Sequence, residues 1–169
     1  MVDLADSVPT IYKIPQSVLV LIHTAQLDVL LIKRCDGENL WQSVTGSLDH
    51  EHESFLEAAK RELVEETGFN VPTNQLIDWH QHCDYTIFPR WRYRYAPGVT
   101  HNREFVFSVC LSDCYEPILS PREHRAFEWL PYQQAAERCF SPSNQQAILQ
   151  LPDRIKNFDP IPVYTRQFK

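Results

Sequence analysis

The stretch Gly46-Ser-Leu-Asp-His-Glu-His-Glu53, continued by Ser54-Phe-Leu-Glu-Ala-Ala-Lys60 and Arg61-Glu-Leu-Val-Glu-Glu-Thr-Gly-Phe69, decides how the rest of the chain is read. Ser54 followed three residues later by Glu57 is a capping box, in which hydroxyl and carboxylate each satisfy a backbone donor at a helix start. Gly68 marks the stop, because glycine alone enters the left-handed closing conformation without penalty. At 100° per residue, Leu56, Ala59 and Leu63 fall on one stripe with Phe55 at its margin. Glu62 and Glu66 fall beside that stripe, and Glu66 projects between Phe55 and Ala59, where an amphipathic helix normally places an apolar side chain. Glu65 lies on the adjoining side. An unpaired carboxylate at a core edge is costly. Three carboxylates able to converge on one spot are better explained by a hard cation such as magnesium than by a solvated acidic face laced with Lys60 and Arg61.

Outward from this helix, Gln16 to His23 and Asp28 to Lys33 are aliphatic and β-branched runs that read as a hairpin of buried strands. Trp41 to Thr45 is a third extended piece. Gln75 to Cys83, Glu104 to Leu111 and Ala126 to Leu130 read as further strands, with helices over Pro131 to Cys139 and Pro142 to Leu151. Ser141 stands where the last helix needs an N-cap. The pattern predicts an α/β fold built on a mixed sheet, in one domain over 1–169 with its core at about 12–151. The tail 152–169, with three prolines, shows no usable period and is expected to drape over the surface.

The 169 residues are 43% hydrophobic with a formal net charge of -6, which suits one globular core and argues against wrapping nucleic acid or lying on an anionic membrane. Residues Met1 to Pro15 lack the features of a signal peptide, and no apolar stretch is long enough to span a bilayer. Five scattered cysteines fit reduced thiols in the cytoplasm. The run Arg90-Trp-Arg-Tyr-Arg-Tyr95 could stack on single-stranded RNA, but in an acidic domain it is better read as a loop closing over one small triphosphate. As an exposed strand it would place cations outside and aromatics inside.

From Glu53 onward the opening stretch resembles the Nudix box, Glu, seven residues, then Arg-Glu-aliphatic-x-Glu-Glu-x-Gly-aliphatic. It departs in having six residues rather than five between Gly46 and Glu53, which predicts a bulged loop. The resemblance implies the Nudix fold, a mixed β-sheet sandwiched between α-helices. It implies a pyrophosphohydrolase using Mg2+, with Mn2+ as substitute. Glu62 and Glu66 become the principal metal ligands and Glu65 a further ligand or a neighbour of one, while Gly46, Glu53, Arg61 and Gly68 are structural. Some members use a glutamate on a later loop as base or ligand, and Glu123 in Ser120-Pro-Arg-Glu-His124 is the candidate.

A closer similarity, over Tyr12 to Leu151, is to bacterial enzymes that split dihydroneopterin triphosphate into the pterin monophosphate and pyrophosphate in folate biosynthesis. It rests on Trp41-Gln-Ser-Val-Thr-Gly-Ser47, Arg94-Tyr-Ala-Pro-Gly-Val-Thr100 and Ser143-Asn-Gln-Gln-Ala147. It implies that Lys13, Arg34, Thr45, the segment Tyr85-Thr86-Ile87-Phe88 and Ser141 face the substrate. Lys13 and Arg34 would meet phosphates, and Tyr85 and Phe88 would flank a planar ring. Two other functions remain open: a house-cleaning hydrolase of nucleoside triphosphates or dinucleoside polyphosphates, and a non-catalytic ligand-sensing module. The oligomeric state and the number of metal ions are left open.

Overall fold

Strands β1 (Gln16–Thr24) and β2 (Asp28–Arg34) are buried on both faces, as continuous apolar runs demand, and their side chains alternate between two cores. Val18, Val20, Ile22, Leu30 and Ile32 face a cluster that contains Ala58, Ala59 and Leu63. Leu19, Leu21, Val29 and Leu31 face another that contains Ala135, Ala136, Ala147, Ile148 and Leu151. The computed structural model, which describes residues 11–158 and 160–167, therefore places a mixed sheet between helix α1 (Phe55–Thr67) on one side and helices α2 (Tyr132–Arg138) and α3 (Pro142–Ile155) on the other. Most of the N-terminal run read as lacking a signal peptide lies outside the described residues.

The remaining strands are β3 (Trp41–Gln42), β4 (Val44–Ser47), β5 (Ile77–Thr86), β6 (His101–Leu111), β7 (His124–Pro131) and β8 (Val163–Tyr164). The central path runs β3-β2-β1-β6-β5, with β4 on β1, β7 on β2 and β8 on β6. The expected β1–β2 hairpin is present, antiparallel and closed by the Leu27 N–H on the Thr24 carbonyl, but its pairing is short, with the single register pair His23 and Val29. Along its whole length β1 pairs in parallel with β6, its other edge near Ser17–Val20 is taken by β4, and β2 runs against β7. The third extended piece also divides, at Ser43, whose N–H is taken by the Asn144 side chain at 2.8 Å.

Helix α1 begins with the capping box, Glu57 N donating to Ser54 Oγ at 3.1 Å and Ser54 N to Glu57 Oε2 at 2.8 Å. It ends at Gly68, with φ of 73° and its N–H bonded to the Val64 carbonyl. A Cβ there would lie 3.1 Å from Ile118 Cβ in a conformation that L side chains rarely adopt. Gly68→Ala is expected to destabilise by about 1 kcal/mol or more, a fall in Tm of roughly 2–4 °C; an unchanged melting curve would refute this view of the helix end.

Two expectations for the C-terminal part are corrected. Helix α3 does not stop at Leu151 but continues through Pro152 to Ile155, because Leu151 is fully buried and Ile155 packs on the same core, which holds the helix past a residue unable to donate. The tail then contributes β8, with Val163 opposite Cys110 and Tyr164 opposite Leu111, and Arg166 sits over the Phe69 ring. Ser141 does occupy the N-cap position, yet its hydroxyl makes no capping bond and meets Ser143 Oγ at 3.0 Å instead.

Candidate active site

The turn of α1 that carries Glu62 and Glu66 faces the end of β4, and Arg61 locks the two together. Its guanidinium donates to Glu53 Oε1 at 2.7 Å and Oε2 at 3.0 Å, and to the Ser47 carbonyl at 3.0 Å. Glu53 in turn accepts from Asp49 N at 2.7 Å, so the extra loop residue is absorbed in a turn that Glu53 closes. Gly46 is required for a different reason: a Cβ there would collide with the Glu62 carboxylate, which lies across the glycine backbone.

Glu66 is buried, and among the described residues its carboxylate accepts one hydrogen bond, a long one of 3.3 Å from Thr45 N. Burial first, then the charges of Glu62 and Glu123, hold its carboxyl well above the usual carboxylate range. Burial also pushes Glu62 up to about 7, against the pull of Arg61, whose Nη1 lies 2.7 Å from Glu62 Oε1. Among the described residues, Glu66, Glu123 and His124 bring ligand atoms within 4.8 Å of one another. His124 is buried with neither ring nitrogen paired, and desolvation followed by Arg34 lowers it to about 4. Two carboxylates, a neutral imidazole and the adjacent Glu62 are a donor set that a divalent cation would satisfy, since Glu66 and His124 are poor in protein partners and the carboxylate charges repel one another. Glu65 stands apart: its carboxylate is 56% exposed, 3.5 Å from Arg61.

This acidic hollow is lined by Lys13, Arg34, Asp36, Thr45, Gly46, Glu62, Glu66, Arg94, Arg122, Glu123 and His124. A second cavity adjoins it and shares Lys13, Arg34, Thr45, Gly46 and Arg94. Beyond those shared residues Tyr85, Ile87, Phe88 and Ser141 line it. Thr86 does not, because strand alternation turns it outward, where its hydroxyl is 3.3 Å from His101 Nε2. Phe88, Trp91 and Phe140 form an aromatic wall, with ring centroids 5.5–5.8 Å apart. Trp91 comes from the basic-aromatic run, which is a 3-10 helix over Pro89–Arg94 and not a strand. The Arg34 guanidinium lies 4.6 Å from the Trp91 ring and is held by Asp36 at 2.6 and 2.7 Å; those bonds pull Asp36 down to about 2. Burial, then Arg94, lowers Lys13.

The family model of the NUDIX domain matches residues 13–151. The chain belongs to the Nudix family. It is a pyrophosphohydrolase, with a mixed sheet between helices as the resemblance implied, and enzymes of this family generally use a divalent metal. It is 43% identical over 143 residues to the dihydroneopterin triphosphate diphosphatase of Escherichia coli K12, covering 83% of this chain and 93% of that protein. The enzyme of the same name from Haemophilus influenzae is 39% identical over 140 residues, covering 81% and 87%. The solved E. coli dihydroneopterin triphosphate pyrophosphohydrolase superposes with a TM-score of 0.77 at 41% identity, covering 83% of this chain and 96% of that one.

His124, Glu104, Phe140, Gln42 and Asn144 line these cavities without having been given a role from sequence, whereas Trp91 belongs to the run expected to close over the substrate. For Glu104 a signal existed. Asn102, Glu104 and Val106 share one parity along β6 and all are buried, so a charged residue stood on an inward-facing position, next to the apolar run Phe105 to Phe107.

Proposed function

We propose that this chain hydrolyses dihydroneopterin triphosphate to dihydroneopterin monophosphate and pyrophosphate, with Mg2+, or Mn2+ in its place, held by Glu62, Glu66 and Glu123 and with Glu65 at their margin. The observation that carries the reading is the adjoining pair of cavities, one acidic and rimmed by cations, the other walled by aromatic rings. A planar heterocycle with a triphosphate tail fits that division, and the two similar bacterial enzymes carry that substrate in their names.

When bound, the divalent cation would neutralise charge on the phosphates and acidify a coordinated water. The chain's own residues supply the rest. Lys13, Arg34 and Arg94 present positive charge where the cavities meet, and the Asp36 carboxylate and Trp91 ring fix Arg34 in orientation. Phe88, with Trp91 and Phe140, holds the ring, and Tyr85 and Thr45 border it. Glu123 acts as base, taking the proton of the attacking water at a carboxylate oxygen, or as a further ligand beside Glu62 and Glu66. Arg61 and Glu53 act at a distance, by keeping α1 and the preceding loop in register.

The same proposal takes residues 1–169 as one domain with its core at 12–151. It places the protein in the cytoplasm, in keeping with cysteines that are all free thiols, and takes no nucleic acid polymer or membrane as partner. No helix among the described residues is long and apolar enough to cross a membrane. A panel of dihydroneopterin triphosphate, nucleoside triphosphates and dinucleoside polyphosphates, with products identified, tests the reading. A nucleotide preferred over the pterin by kcat/KM would turn it into the house-cleaning function, and no turnover of any into the sensing module.

Tyr85→Ala and Phe88→Ala should each weaken use of the pterin substrate by roughly 1–3 kcal/mol, the scale of base stacking on aromatics. Their effect on inorganic triphosphate, which offers no ring, should be far smaller. Equal losses of kcat/KM on both substrates would show that the two aromatics support the fold or the metal site.

A further inference from the structure

The ring cavity contains two buried polar side chains to which the reading above gives no task. Glu104 on β6 is 4% exposed and lines the cavity. Ser143 Oγ donates to its Oε1 at 3.0 Å. Thr45 Oγ1 lies 3.3 Å from its Oε2 but is nearer the Val18 carbonyl, at 2.9 Å, the better acceptor for its one proton. A carboxylate offers about four acceptor sites, so this one keeps several open, and among the described residues no lysine or arginine pairs with it. Gln42 on β3, 3% exposed, lines the same cavity, and its Nε2 has no partner. A buried carboxylate with acceptor sites to spare and an orphaned donor in one aromatic-walled cavity are each costly unless a ligand completes them.

We infer that Glu104 selects the base: its two oxygens accept parallel N–H bonds from the ring N–H and exocyclic amine of a 2-amino-4-oxopyrimidine edge, while Gln42 Nε2 donates to the neighbouring ring carbonyl. Pterins and guanine share that edge; adenine and hypoxanthine lack the amine. The inference rests on the chain being a pyrophosphohydrolase with its ring site in this cavity, and it makes Glu104 a specificity-determining residue that has no part in breaking the phosphoanhydride. The bond pair is charge-assisted and desolvated, the situation in which a missing donor is rejected most strongly.

The test compares kcat/KM for dihydroneopterin triphosphate, GTP and ITP in the wild type, Glu104→Gln and Gln42→Leu. ITP differs from GTP by the amine alone. The wild type is expected to prefer GTP to ITP by at least tenfold, on the scale of one bidentate base contact. In Glu104→Gln the GTP to ITP ratio should collapse ten- to a hundredfold, because the amide presents a donor to a donor. Gln42→Leu should depress GTP and ITP together, since both carry the carbonyl. A wild type that uses ITP as well as GTP overturns the inference without any variant, as does a Glu104→Gln protein that loses the same factor on every substrate. A wild type that prefers GTP to ITP yet leaves dihydroneopterin triphosphate intact would sink the proposed substrate and leave the role of Glu104 standing.

Discussion

Glu66→Gln should keep the fold and lower turnover by orders of magnitude at saturating magnesium. The substitution preserves shape and the acceptor for Thr45 N but removes one buried negative charge from a group with Glu62, Glu123 and His124 around it. Losing a charged ligand weakens both cation affinity and charge neutralisation, on the order of several kcal/mol, or a hundredfold and more in rate. Stability should move the other way. A carboxyl whose folded pKa is raised binds more protons in the native than in the unfolded state, so its contribution to stability falls as pH rises from the unfolded value through the folded one. Glu66, raised mainly by burial, and Glu62, raised to about 7, both have this sign. Metal-free wild type should therefore lose stability between about pH 4.5 and 7, and Glu66→Gln should melt higher than wild type at pH 7.5. Added magnesium should raise the wild-type Tm more than that of the variant. Near-normal turnover in Glu66→Gln at saturating magnesium would remove Glu66 from the metal site.

That helix was readable because its determinants are local. The Ser54–Glu57 box, the stop at Gly68 and the position of Glu66 beside an apolar stripe follow from period and side-chain chemistry within sixteen or so residues. What surrounds it was not readable in the same way. His124 reaches Glu66 because β7 lies on β2, and Glu104 reaches Thr45 because β6 and β4 flank β1 on opposite edges. Both are consequences of long-range pairing that no local period encodes. The shortness of the β1–β2 hairpin has the same origin: two runs buried on both faces can pair with any buried strand, so pattern alone could not tell that β6, β4 and β7 take most of their edges. The opposite error occurred at Pro152, where a local helix-stop signal was overridden by the burial of Leu151 and the packing of Ile155. Thr86 was included in the site because the resemblance carried over the whole segment Tyr85 to Phe88, although a period of two sends it outward.

The metal site should depend as strongly on Glu123, which arrives from a loop. Its backbone is tied down, with N–H to the Ser120 carbonyl at 3.1 Å and its own carbonyl accepting from Cys35 N at 2.8 Å, so the side chain is presented to Glu66 and His124 from a fixed anchor. Removing the carboxylate leaves those backbone bonds intact. Exposed loop glutamates contribute almost nothing to stability, and this one adds charge near the buried Glu66 and the half-buried Glu62, whose ionisation it opposes. Glu123→Ala is thus expected to leave the metal-free Tm unchanged or slightly raised while kcat drops by about 10²–10⁴, the range that general acid–base catalysis supplies. Glu123→Gln should fall nearly as far, because the amide can neither take a proton nor offer a charged ligand. The two roles separate on magnesium: a lost ligand shifts the magnesium concentration at half-maximal rate upward and is partly recovered at high magnesium. A lost base leaves that concentration in place and lowers the rate at every level. Unchanged kinetics in both variants would return Glu123 to an ordinary surface residue and leave Glu62 and Glu66, with His124, to carry the chemistry.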